Sequence, residues 1–153
     1  MRPLLTRPLV VAVAVLGLGA CDGVSEDTYA ERVGEVCVDI EREVTQLQST
    51  SAETPGEIAA VIDDVIRQSR DALRRVKEIE RPDGDAGADA DRFVKTLERE
   101  VEEVAIPALE ALRDAVVRRD QEAAAEAGAR LQQLESSESD RLARDLGAEA
   151  CAG

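Results

Sequence analysis

The chain has 153 residues with 33 acidic against 19 basic side chains, a net charge of −14; the length suits one core rather than two and the charge argues against a nucleic-acid partner. Histidine, tryptophan and asparagine are absent, and Tyr29 and Phe93 are the only aromatics. These absences remove imidazole bases, Ser-His and Cys-His nucleophile pairs, His-bearing zinc or haem sites, aromatic stacking platforms and quaternary-ammonium cages, and N-glycosylation sequons.

Arg2 and Arg7 flank a short basic start, and residues 9–18 form an apolar run that closes on Gly19, Ala20 and Cys21. This is the outline of a secretory signal. The run is shorter than the roughly 20 apolar residues a membrane-crossing helix needs, so residues 1–20 read as a cleaved signal peptide rather than a permanent anchor. Leu18-Gly19-Ala20-Cys21 resembles the bacterial lipobox at all four positions. That resemblance implies cleavage before Cys21, a diacylglyceryl thioether on its sulfur, and acylation of the new amino terminus with a chain such as palmitate. Two or more acyl chains convert marginal membrane binding into stable anchoring. An ordinary secreted protein and an uncleaved anchor are the alternatives. Asp22 resembles an enterobacterial retention signal, but a composition rich in Ala, Arg, Val, Asp and Glu, with Lys77 and Lys95 alone after the leader, resembles a high-GC actinobacterium, where that rule is not expected to apply. The expected location is the extracytoplasmic face of the cell membrane.

Residues 21–24 form a short lipidated tether, and residues 25–153 a single domain. Ser25 is placed to cap a first helix with Glu26 and Asp27 in its first turn. Tyr29, Val33, Val36, Ile40, Val44 and Leu47 follow at a period near 3.6, which sets one apolar stripe toward a core. Cys37 lies beside that stripe. Once Cys21 is lipidated, Cys37 and Cys151 are an even pair in an oxidising compartment, and a disulfide between them is expected. The alternative is a core Cys37 with a free Cys151 thiol. The bond requires the tail after Gly147 to fold back by about 15 Å, a span an extended chain just covers.

Residues 49–53 read as a turn, after which Thr54 and Pro55 supply an N-cap and a proline at the first helical position. The second stripe runs through Ile58, Ile62, Val65, Ile66, Leu73, Val76 and Ile79, with Asp63–Arg67 and Asp71–Arg75 as i,i+4 pairs. That helix is expected to end near Arg81, with residues 82–91 as a loop of Gly, Ala and Asp. The third helix carries Phe93, Leu97, Val101, Val104, Ala108, Leu112 and Val116, and Pro107 predicts a kink or break within it. Asp120 is placed to cap a fourth helix through Ala124, Ala127, Leu131, Leu134, Leu142 and Leu146, stopped by Gly147. The serines between 136 and 139 are its weakest stretch. The fold expected is all-α, an antiparallel up-and-down bundle of about four helices.

Candidate chemistry is sparse. Asp83, Asp85, Asp89 and Asp91 offer hard-cation ligands, but a calcium loop starting at Asp83 would need glycine at Ala88 and a glutamate at Val94. A solvated linker is the preferred reading. Glu98, Glu100, Glu102, Glu103 and Glu110 fall between the stripe positions of helix three, so a charged solvent face is preferred over a di-metal or acid–base site. Arg67, Arg70, Arg74 and Arg75, and the pair Arg118 and Arg119, read as intrahelical ion-pair partners rather than an anionic-lipid site. No catalytic or metal-binding residue and no cofactor is assigned.

From Cys37 onward the pattern resembles uncharacterised small lipoproteins and secreted proteins of actinobacteria. The likeness rests on an early cysteine on the first helix, a Pro-containing loop after the second, an Arg118-Arg119-Asp120 turn into an Ala-rich last hairpin, and the closing Leu146-Gly147-Ala148-Glu149-Ala150-Cys151. The group implies no activity; it supports the disulfide and the bundle. The function expected is a non-catalytic, membrane-anchored module that binds or spaces an unknown envelope protein or ligand. The alternative is a carrier of an apolar ligand, which predicts a pocket of several hundred Å3 lined by Val101, Val104, Leu109 and Leu112. A carboxylate-only hydrolase is a third class and needs two converging carboxyls with raised pKa values.

Overall fold

A computed structural model describes residues 23–49, 51–134 and 137–152, and among them every regular element is helical. Helix α1 (Glu26–Gln48) starts where the sequence places it, with the Ser25 hydroxyl accepting the Thr28 amide at 3.2 Å and two acidic side chains facing the helix dipole. Helix α2 (Pro55–Glu78) opens on a full capping box, in which Thr54 and Glu57 each accept from the other's backbone. It stops three residues before the expected Arg81, whose guanidinium instead donates to the carbonyls of Lys77 and Ile79 at 2.9 and 2.8 Å and covers the helix end.

The expected Gly-Ala-Asp loop after Pro82 is a correction: most of it is the start of helix α3 (Gly84–Arg99). Gly84 takes the left-handed φ of 70° that begins the turn, and at Gly87 a side chain would lie 2.2 Å from the Pro82 carbonyl oxygen. The two glycines thus let the chain double back on Pro82, and Ala90 on the next turn is fully buried. Local composition signalled a loop because it cannot register that burial.

Pro107 does not split helix three. A π-helical turn (Glu100–Ala105) joins α3 to α4 (Ile106–Arg118), and the residues on either side of the junction keep right-handed helical dihedrals. Within the turn the Ile106 amide donates to the carbonyl of Val101, five residues back. The wider turn moves the carbonyls that a proline ring would otherwise strike.

The single fourth helix is a further correction. Helix α5 (Gln121–Gln132), capped by Asp120 on the Ala123 amide at 3.0 Å, ends early, and helix α6 (Glu138–Asp145) starts afresh on a Ser137–Asp140 capping box. Serine side chains compete for backbone groups, and here Ser137 wins the competition as a cap. Two helices close on the same Schellman arrangement: Asp120 donates to Ala115 after α4, and Ala148 to Ala143 after α6, both at 2.9 Å. Gly147 takes the left-handed position in the second, whereas Arg119 holds it in the first at φ 57°.

Two apolar clusters result. At one end α1, α3, α6, the last turns of α2 and the tail enclose Tyr29, Val33, Val76, Phe93 and Leu142. At the other, Ile62 and Ile66 of α2 meet Ile106 of α4, with Leu109 and Leu112 packed against them. Helix α5 lies along α4, and α6 along α3. The all-α bundle is as expected, but its fourth member is two helices seated against different partners.

Candidate binding groove

Cys37 and Cys151 are joined by a disulfide with their Cα atoms 5.2 Å apart. The reversal at Gly147 and a short 3-10 turn (Glu149–Cys151) bring the tail back onto α1. Cys21, the expected lipidation site, and the signal segment 1–20 lie outside the described residues. No described helix is long and apolar enough to cross a membrane.

The packing of α5 leaves α1 unevenly covered. In an up-and-down bundle the last helix lies beside the first, but here α5 stays with α4, and α1 packs on α2 and the tail. A groove of about 760 Å3 runs along that side. Ile40 and Val44 of α1, Ser69 and Leu73 of α2, and Leu97 and Val101 from α3 and the π turn line it. Ser69 spends its hydroxyl on the Val65 carbonyl at 2.9 Å, so the walls are apolar. The disulfide and the tail form one end, where Glu41 and Glu149 are exposed acidic residues of the lining; the Asp140 carboxylate beside them already accepts the Ser137 amide at 3.1 Å.

The pocket expected at Val101, Val104, Leu109 and Leu112 is not formed as such. Val101 lines the groove, Val104 is 38% exposed, and Leu109 and Leu112 pack on the Ile62 cluster. The π turn absorbs Pro107, and α4 continues from it without a break. The groove residues on α1 were read as core because they continue its stripe. The signal that distinguishes them is length: the stripe runs to Leu47, well past the point where the tail crosses at Cys37.

Many members of the other clusters are engaged in ion pairs. Arg81 meets Asp91 at 2.9 Å and Arg92 meets Asp89 at 3.4 Å, and no metal-holding group of three ligands exists among the described residues. Glu98 pairs with Lys77 at 2.5 Å, Glu100 accepts from the Ser139 hydroxyl at 2.5 Å, and Arg70 stands 3.9 Å from both Glu102 and Glu110. The expected i,i+4 pairs on α2 are replaced. Arg67 pairs with Asp64, and Arg74 with Asp71 and Glu78. Arg75 crosses to Asp39 of α1 at 2.7 Å, and Asp63 to Arg113 of α4 at 2.9 Å. Helix pitch explains this, because i,i+3 and interhelical neighbours lie as close as i,i+4 ones.

Asp39 is held below the usual carboxylate range, mainly by its hydrogen bond from Arg75, and Glu57 by the backbone amide of Thr54. Burial pushes the Tyr29 phenol up, with Arg81 opposing, and its hydroxyl has no hydrogen-bond partner among the described residues. The two carboxyls that shift therefore move opposite to the direction a carboxylate acid catalyst needs. No family model, curated protein or solved structure matches the chain.

Proposed function

We propose that this chain is a lipid-anchored lipoprotein of the extracytoplasmic membrane face, whose helical domain is a non-catalytic binding module using the groove beside α1. The observation that carries the reading is the 760 Å3 apolar groove between α1, α2, the α3–π segment and the tail. Its volume is that of a ligand site, and its lining is mostly aliphatic with few polar groups. The Leu18-Gly19-Ala20-Cys21 pattern after an apolar run supports the anchor. A disulfide between Cys37 and Cys151 suits an oxidising compartment.

Gly23 approaches Asp83 so closely that a side chain there would lie 2.7 Å from the carboxylate. The tether therefore leaves the domain beside the turn between α2 and α3. Cleavage removes Arg2 and Arg7 and takes the net charge from −14 to −16, which anionic lipid repels, so the domain stands off from the bilayer. The partner bound is an envelope component or an apolar ligand, with the groove favouring the ligand.

Intact mass of membrane-extracted protein, with and without reductant, tests the anchor. The expected species begins at Cys21, carries acyl mass and gains the mass of two hydrogen atoms when the reductant opens the disulfide. A species that begins at Met1, lacks acyl mass or already shows two free thiols overturns it.

A further inference from the structure

We infer that the groove takes a single-chain amphiphile with a cationic head, of the primary alkylammonium class. This rests on the groove being the binding element and names what it selects. Every ionisable side chain in its lining is a carboxylate: Glu41, Asp140 and Glu149. The cations nearest in sequence on α2 are already engaged, Arg75 with Asp39 and Arg70 with Glu102 and Glu110.

The charge is also ordered along the groove. Glu41 lies one turn beyond Cys37, and Glu149 two residues before Cys151, so the carboxylates gather at the disulfide end. Val44, Ser69 and Val101 line the groove without adding charge. A head and a tail are thus distinguished, with an ammonium at the rim by the disulfide and an alkyl chain over Ile40, Leu73 and Val101.

Like charge disfavours the competing occupants. An anionic lipid or fatty acid brings its head to Glu41 and Glu149, with the capping carboxylate of Asp140 beside them, and a second copy of this acidic chain brings further negative charge. A basic partner helix satisfies the charge, but the groove covers only about 12 Å of α1, two helical turns, so one set of anchors would use all of it. The volume instead matches a small ligand.

The test measures binding of decylammonium, 1-decanol and decanoate, each below its aggregation threshold, to the oxidised full chain carrying Cys21→Ser. The expected result is one decylammonium per chain, bound roughly tenfold tighter than 1-decanol, as two or three partly exposed ion pairs would give, with decanoate weakest. Glu41→Gln with Glu149→Gln, both exposed and of little consequence for folding, is expected to bring decylammonium down to the affinity of 1-decanol and leave 1-decanol unchanged. Val44→Trp is expected to block all three ligands while helicity stays at the level of the parent.

If decanoate binds as tightly as decylammonium, the charge selection is overturned and the groove stands. If none of the three binds, the groove reading falls with it. Binding that survives Val44→Trp puts the ligand elsewhere and overturns the inference. A basic amphipathic peptide that binds more tightly than decylammonium, and is itself blocked by Val44→Trp, assigns the groove to a helix and overturns it too.

Discussion

The two ends of this bundle are held together in different ways. Around Phe93 the core is assembled from pieces far apart in the chain, α1, α3, α6 and the tail, and a covalent bond spanning 114 residues fixes its edge. Around Ile66 it is built from α2 and α4, with α5 laid on α4 through a tight turn and no covalent link. The stapled end concentrates loop-closure entropy in one bond, whereas the other end relies on neighbouring helices and leaves one flank of α1 open. The groove lies where these two solutions meet.

The largest expected effect comes from Cys37→Ser with Cys151→Ser. Loss of the staple should cost about 4 to 5 kcal/mol in urea unfolding by the chain-entropy account. In hydrogen exchange, α1 and α6 should lose protection well before α2 and α4. Equal loss at both ends would show that the molecule is one cooperative unit, and the contrast drawn above would fail.

Next come the two cores themselves. Phe93→Ala removes a ring that is 1% exposed and should cost about 3 to 5 kcal/mol, whereas Ile106→Ala, at 2% exposed, should cost about 2 to 4 kcal/mol. Denaturant midpoints of both variants with the disulfide intact would measure this, and a larger loss at Ile106 would reverse the ranking of the two ends.

A smaller change should strengthen the unstapled end. Arg119 holds a left-handed conformation that glycine adopts without penalty, so Arg119→Gly should stabilise by up to about 1 kcal/mol, read as a higher thermal midpoint. Gly147 already fills the equivalent position after α6.

The smallest expected effect tests the seam between α1 and α2. Arg75 lowers the pKa of Asp39, so the contribution of that carboxylate is fully present above its unfolded value of about 4 and is lost as pH falls through the lower folded value. Asp39→Asn should therefore lower the thermal midpoint slightly at pH 7, less in high salt, and the gap from the parent should close in acid. A gap that widened on acidification would contradict the pairing.

Much of this architecture can be read from the chain. Ser25, Thr54-Pro55 and Asp120 announce helix starts because capping is a local contact, and the stripe through Tyr29, Val33 and Val36 announces a buried face because helical pitch is fixed. Other features depend on what arrives from a distance. The helix over the Asp-rich segment forms because Ala90 is buried and Gly87 fits against Pro82, neither of which local polarity records. The π turn answers a proline that local rules treat only as a breaker. The groove depends on how α1, α2, α3 and the tail meet, which the local pattern of no one of them specifies. Composition narrows the chemistry, but the meeting of Glu41, Asp140 and Glu149 in one lining comes from three separate elements.

The long span of the disulfide also sets a timetable. A ribosome adding about 5 to 20 residues per second needs roughly 5 to 25 s to travel from Cys37 to Cys151. During that interval Cys37 has no native mate, and the face around Tyr29 lacks the α6 and tail residues that complete its cluster. Cys37 must be kept from premature sulfur exchange until Cys151 emerges, so the stapled end of the bundle is the part that is completed late.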